Sequence, residues 1–292
     1  MKFAAIDIGS NAVRLIFINV YETPSGPQFV KDAMYRVALR LGEEVFIKGK
    51  ISARKEAEML ATMKAFKHLI DVHQPVQIMA CATSAMRDAK NAKEIVNKVY
   101  KKTGIDIKII SGQKEAEFIF SNHVEKFQLD FQKNYLYIDV GGGSTEFTLF
   151  SHGKMITSRS FKAGTVRLLN EMVHDVVWEE IEKWIRTNTA DYEEVTLIGS
   201  GGNINKLFKM SGKQQDKPLS YIYINSQYAY LSSLTYEQRI SQLGLNSDRA
   251  DVIVPATRIY LNAMKWSGAR QIYVPKIGLS DGIVKAMYYG KI

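Results

Sequence analysis

Three consecutive glycines, Gly141, Gly142 and Gly143, separate two apolar stretches and constrain the fold more than any other feature. Tyr135-Leu136-Tyr137-Ile138 reads as a strand entering the turn, and Phe147-Thr148-Leu149-Phe150 as a strand leaving it. Glycine there predicts a tight turn with φ > 0 and close approach of an anion to backbone N–H groups. Asp139 and Glu146 flank the turn, with Ser144 and Thr145 between them. Amides beside two carboxylates suit a phosphate that carries a divalent cation: the amides take the phosphate oxygens and the acids hold the metal.

The pattern occurs a second time. Ile6-Asp7-Ile8-Gly9-Ser10-Asn11 aligns without a gap on Ile138-Asp139-Val140-Gly141-Gly142-Gly143, and Arg14 then falls opposite Glu146. A repeat of this kind predicts two copies of one hairpin phosphate loop, facing each other across a cleft. A third glycine turn, Gly199-Ser200-Gly201-Gly202-Asn203, follows the strand Val195-Thr196-Leu197-Ile198 and opens a helix, again the geometry of a phosphate or nucleotide loop.

Length and composition narrow the class. At 292 residues the chain has room for two domains. No apolar run is long enough to span a bilayer, and one Lys followed by Asp7 predicts no signal peptide. Cys81 is the only cysteine, so an internal disulfide is excluded and a reducing, cytoplasmic setting is expected. It lies in the apolar run Gln77–Ala82, as a buried and inert thiol would. The net charge of +9 favours a polyanionic partner, or else a merely solvated basic surface. Neither a nucleic-acid motif nor a membrane-binding segment accompanies that charge, so neither partner is expected.

In chain order, strands are expected over 2–8, 13–20 and 28–36. Ser52 caps a helix to His73, on which Met59, Leu60, Met63, Phe66 and Ile70 form a core stripe. A buried strand over 76–82 leads to Thr83-Ser84, either of which can cap a helix whose amides, with Arg87, suit an anion, although spacing alone favours a plain cap and a surface arginine. After a strand at 105–110, Glu115 and Glu117 open another helix. The helix dipole alone explains both acids; alternatively one of them is a general base at the carboxyl end of a strand. The first half thus reads βββ-α-β-α-β-α, and the second restarts at Asn134. The expected domains are 1–128 and 129–292, with the last helix packing back on the first. No G-x-x-x-x-G-K-[ST] sequence and no paired Cys/His spacing is present, and His174-Asp175 stands without further ligands.

A duplicated βββαβαβα pattern with two hairpin phosphate loops resembles the actin-like (ribonuclease H-like) ATPase architecture, an α/β fold. Within it the chain resembles the exopolyphosphatase / guanosine pentaphosphate phosphohydrolase family, in its short two-domain form. The matching segments are Ala5–Asn11, Ala82–Asp88, Ile109–Ala116, Ile138–Glu146, Arg249–Pro255 and Gly278–Gly282, in order along the chain. The resemblance implies hydrolysis of a terminal phosphoanhydride bond, of inorganic polyphosphate or guanosine pentaphosphate, with Mg²⁺ (or Mn²⁺). It puts the catalytic glutamate on Glu115 and a cleft arginine on Arg87. Metal and phosphate acids fall on Asp139 and Glu146, with Asp7 nearby. Phosphate binding falls on Gly9, Ser10, Asn11 and Gly141 to Thr145, with Arg14, Ser84, Gly201 and Gly202 as further candidates.

Two positions depart from the family pattern: Lys114 replaces a second glutamate, and Ser280-Asp281 replaces Arg-Glu. Homodimerisation is compatible with the resemblance. Three other readings share these features: a guanosine pentaphosphate hydrolase, a regulator that binds polyphosphate or an alarmone without cleaving it, and an ATP-dependent small-molecule kinase.

Overall fold

The computed structural model describes residues 1–118, 132–215, 217–275 and 278–290. They form two compact units, Met1–Asn122 with Leu279–Ile292, and His123–Gly278.

The first unit begins with β1 (Lys2–Ile8), β2 (Val13–Thr23) and β3 (Gly26–Val37), continues through α1 (Leu41–Lys48) and α2 (Ala53–His73), and then adds β4 (Gln77–Ala82), α3 (Ser84–Asp88), α4 (Ala92–Thr103), β5 (Ile107–Ile109) and α5 (residues 112–118). Its sheet order is β3-β2-β1-β4-β5. The first three strands pair antiparallel, whereas β1, β4 and β5 run parallel. β1 is central, and Ala4, Ala5 and Ile6 are fully buried, which is why it reads as a continuous apolar run. β3 lies at the edge, and its residues are mostly exposed or half-buried.

The second unit repeats this plan with β6 (Asn134–Val140), β7 (Thr145–Ser151), β8 (Lys154–Phe161), α6 (Thr165–Leu169), α7 (Asp175–Thr189), β9 (Val195–Ser200) and α8 (Gly202–Met210). After them come β10 (Leu219–Ser220), α9 (Tyr221–Ser233), α10 (Tyr236–Leu243), α11 (Ser247–Ala250), α12 (Ile253–Ser267) and β11 (Gln271–Tyr273). The sheet order β8-β7-β6-β9-β11-β10 matches that of the first unit, with β10 as an added antiparallel edge. The duplication expected from two short sequence matches therefore extends through the whole sheet. The fold is α/β and duplicated, as expected.

Among the described helices, α2, α9 and α10 carry side-chain N-caps. Ser52 accepts a hydrogen bond from Lys55 N at the start of α2, and Thr235 with Gln238 forms a capping box on α10. α1 carries no such signal: its N-cap is Arg40, with φ 51° and no side-chain cap, so the sequence reading passed over it. Nor does a side chain cap α3. Thr83 sits at the N-cap position, but its hydroxyl points to Ile8 O at 3.5 Å. Leu219–Ser220 form the short strand β10, which no sequence signal marked.

The final helix, α13 (Leu279–Tyr288), packs on β1, β2 and β4 of the first unit, burying Leu279, Ile283, Val284 and Met287. Asp281, one of the two departures from the family pattern, pairs with Lys31 of β3 at 2.9 Å. That contact gives the acid a role in anchoring α13. No helix among the described residues is long and apolar enough to cross a membrane.

Cys81 is fully buried on β4 beside Asp7 of β1. Burial, reinforced by the Asp7 charge, pushes its thiol from 9.0 up to about 12. The native protein at pH 8 is expected to alkylate at Cys81 at least ~100-fold more slowly than the urea-unfolded chain, measured with iodoacetamide. Because the folded state holds this proton more tightly, the thiol favours folding fully below pH 9.0 and progressively less as pH rises towards 12. Equal alkylation rates in the two states would contradict the assignment.

Candidate active site

In the second unit, β6 and β7 place Asp139 directly opposite Glu146, so both carboxylates lie on one face of the hairpin. The turn between them closes with Gly141 N donating to Ser144 O at 3.0 Å. The carbonyls of the turn are all taken from behind. Gly141 O accepts from Thr165 N (3.0 Å), Gly142 O from Val166 N (2.8 Å), and Gly143 O from the Arg167 Nε (2.8 Å). The start of α6 thus consumes the acceptors of the loop, and the Gly142 and Gly143 amides have no partner among the described residues. A backbone pinned this way presents donors on its other side, as anion recognition requires.

Contrary to the expectation, none of Gly141, Gly142 and Gly143 has a positive φ. Close approach demands glycine at Gly164 instead, where a Cβ would lie 2.3 Å from the Gly142 carbonyl. Arg167, 8% exposed and absent from the sequence candidates, is a main support of the loop. A glycine immediately before a helix, with an arginine in its first turn, is the sequence signal.

The first unit uses the same device. Gly9 N donates to Ala12 O at 3.1 Å, Gly42 N to Ser10 O at 2.8 Å and Arg40 N to Asn11 O at 2.9 Å. The start of α1 therefore backs this loop as α6 backs the other. Gly42 permits the approach, since a Cβ there would lie 3.1 Å from Ser10 Cβ. Arg14, paired with Asp7 across β1 and β2, holds the Asp7 carboxylate at 2.8 Å, so these two candidates neutralise each other.

The remaining first-unit candidates gather at the carboxyl ends of β4 and β5. Arg87 on α3 donates to Ile110 O at 2.8 Å and to Glu115 Oε2 at 3.1 Å. Glu115 on α5 has a side chain only 12% exposed. Its neighbour Glu117 is an exposed acid paired with Lys114 at 3.1 Å. Of the two acids in the first turn of α5, only Glu115 is thus shielded and oriented, and Lys114 is engaged away from it. Ser84 is buried in the first turn of α3.

The third glycine turn belongs to the second-unit site. Parallel pairing sets Ser200 beside Asp139. Gly201 has φ +117°, and a Cβ there would lie 3.6 Å from Asp139 Oδ1 and 3.1 Å from Val140 O. Beyond it, the Arg249 guanidinium approaches Gly202, with 3.1 Å to the position of a Cβ. Behind Asp139 are Tyr137 and Tyr260, both fully buried; burial first, then the Asp139 charge, raises their hydroxyls well above the ordinary range and keeps them neutral. Tyr260 donates its hydroxyl to Ser200 O.

Glu146 is 2% exposed and accepts from Ser144 Oγ (2.7 Å) and Ser160 Oγ (2.8 Å). The Thr145 hydroxyl donates to Ala163 O at 2.5 Å. No three His, Cys, Asp or Glu side chains form a metal-binding group among the described residues. The opposed pair Asp139 and Glu146, hard oxygen donors beside an amide loop, nonetheless fits Mg²⁺, which takes one or two carboxylates and completes its shell with water and phosphate.

Two glycine hairpins on duplicated mixed sheets define an α/β protein of the actin-like class. Residues 28–289 match the model of the Ppx/GppA phosphatase family, and the chain belongs to that family. Exopolyphosphatase 1 of Mycobacterium bovis is 24% identical over 97% of this chain and 87% of its own length. A bifunctional 3-dehydroquinate synthase/phosphatase of Fusobacterium nucleatum is 28% identical over 98% of this chain, which spans 46% of that longer protein. Among solved structures, an exopolyphosphatase from Cytophaga hutchinsonii superposes with a TM-score of 0.87 at 26% identity, covering 99% of this chain and 98% of that one.

The Gly164→Ala variant tests the backing of the loop. A methyl group driven into the Gly142 carbonyl is expected to destabilise the protein by about 2 kcal/mol or more, read from urea denaturation. A stability unchanged within error would show that the loop does not depend on this contact.

Proposed function

We propose that the chain is an exopolyphosphatase, releasing terminal orthophosphate from inorganic polyphosphate by in-line attack of water. The observation that carries this reading is Glu115: a shielded carboxylate at the carboxyl end of a parallel sheet, held by Arg87. The names borne by the relatives and the excess positive charge support polyphosphate as the substrate.

In this mechanism Glu115 Oε accepts the proton of the attacking water as its oxygen bonds to the terminal phosphorus. The phosphoanhydride P–O bond breaks, and its electron pair leaves with the shortened chain. Arg87 keeps the Glu115 carboxylate aimed and offers N–H groups to the equatorial oxygens. Each hairpin loop receives phosphate oxygens on its amides, with the Ser10 and Ser144 hydroxyls beside them. Asp139 with Glu146 would hold Mg²⁺, which supplies charge neutralisation when bound. Asp7 is assigned to the electrostatics of the first loop through Arg14. Phosphoryl transfer consists mostly of positioning and electrostatics, so amides, cations and one base are sufficient equipment.

Phosphate release is the deciding assay, run in parallel on polyphosphate, guanosine pentaphosphate and ATP, with and without Mg²⁺. Rapid release from polyphosphate without an acceptor is expected. Exclusive release from guanosine pentaphosphate would shift the substrate, and transfer from ATP to an acceptor would make the protein a kinase. Glu115→Gln is expected to lower kcat by about 10²-fold or more while KM changes little. Undiminished turnover in that variant would remove Glu115 from the base role.

A further inference from the structure

Beside the Gly201–Gly202 turn the second unit has an open cavity of about 330 Å³. Lys206 and Lys209 of α8, Arg249 of α11, Asn205 of α8, and Gly244 and Asn246 between α10 and α11 line it. No acidic and no aromatic side chain is among the lining residues. Lys206 and Lys209 are three apart on one helix face, a like-charge pair that weakens a helix on its own. The Lys206 Nζ is fixed by donating to Leu243 O at 2.9 Å. Burial first, then the charges of Lys209 and Arg249, depresses its affinity for a proton. Cations held together at such a cost in mutual repulsion create a local potential for an anion.

A chain of contacts links the cavity lining to the candidate active site. Arg249 touches the turn at Gly202, and the neighbouring Gly201 abuts Asp139 Oδ1. The chemistry of the lining separates the possible anions. A nucleotide would be expected to stack its base on an aromatic ring; this lining holds none, and apart from Leu245 its side chains are amides and cations.

We propose that this cavity is a second phosphate subsite, holding phosphates of a polyphosphate chain remote from the bond that is cleaved. The inference rests on the polyphosphate reading above and adds to it a determinant of chain length. A short substrate engages the hairpin loops alone, whereas a long one also engages Lys206, Lys209 and Arg249 and binds more tightly.

The test compares Lys209→Gln and the double variant Lys206→Gln/Lys209→Gln with the wild type on tripolyphosphate and on long-chain polyphosphate. KM for the long chain is expected to rise about tenfold in the double variant, with a smaller rise in the single one. kcat on both substrates, KM for tripolyphosphate and the thermal midpoint are expected to hold. A long-chain KM that does not move, or equal rises for both lengths, overturns the proposal while leaving the hydrolase reading intact.

Calorimetric binding of long-chain polyphosphate to Glu115→Gln protein, with and without the lysine changes, separates the two ideas further. If the wild type releases no phosphate but the lysine changes weaken binding about tenfold, the hydrolase reading fails and the subsite stands. If the lysine changes weaken only the binding of GTP, run as a parallel titration, the cavity is a nucleotide site and the chain assignment is overturned.

Discussion

Both glycine hairpins depend on one arrangement: the carbonyl side of a short hairpin turn is consumed by the start of the helix that follows the third strand. In the second unit Thr165, Val166 and Arg167 take the carbonyls of Gly141, Gly142 and Gly143; in the first, Arg40 and Gly42 take those of Asn11 and Ser10. A peptide group whose acceptor is satisfied on one side keeps its donor orientation on the other without reorganisation. Preorganised donors of that kind favour an incoming anion without further rearrangement. The close approach at Gly164 and at Gly42 makes the arrangement possible, because helix start and loop meet backbone to backbone.

The rest of each unit positions what surrounds the loop. Parallel pairing brings the carboxyl ends of β1, β4 and β5 to one edge, so the loop, α3 and α5 all open from it, and Arg87 can reach Glu115. The second sheet does the same with β6 and β9, setting the Gly201 turn against Asp139. The units differ at matching positions. Arg14 stands opposite Asp7, whereas Glu146 stands opposite Asp139. One hairpin is thereby internally neutralised, and the other concentrates negative charge suited to a cation.

Much of this was legible in the sequence because it rests on local signals. The gapless match between Ile6–Asn11 and Ile138–Gly143 exposed the duplication, and the Ser52 cap and the Met59–Ile70 stripe defined α2. Other features depend on distant contacts and left weak traces. α1 starts at a left-handed arginine with no capping side chain, so neither propensity nor pattern marks it. Glycine at 141–143 was read as backbone torsion, but none of the three has a positive φ, and the strict demand for glycine falls on Gly164, more than twenty residues on in the chain. The same holds for Arg167, whose partner carbonyl at Gly143 becomes visible only when β8 returns the chain to the hairpin. Spacing alone left Glu115 and Glu117 equivalent; the family resemblance chose Glu115, and the placement of Arg87 sets it apart in the structure.

The central claim is that the two hairpin turns receive phosphate through their amides. Amide hydrogen exchange, followed by mass spectrometry on the Glu115→Gln protein with tripolyphosphate and Mg²⁺, tests it most directly. Slowed exchange over Gly9–Asn11 and over Gly141–Ser144, absent when sulfate at equal ionic strength replaces tripolyphosphate, is the expected result. Binding of tripolyphosphate with unchanged exchange in both segments would contradict it.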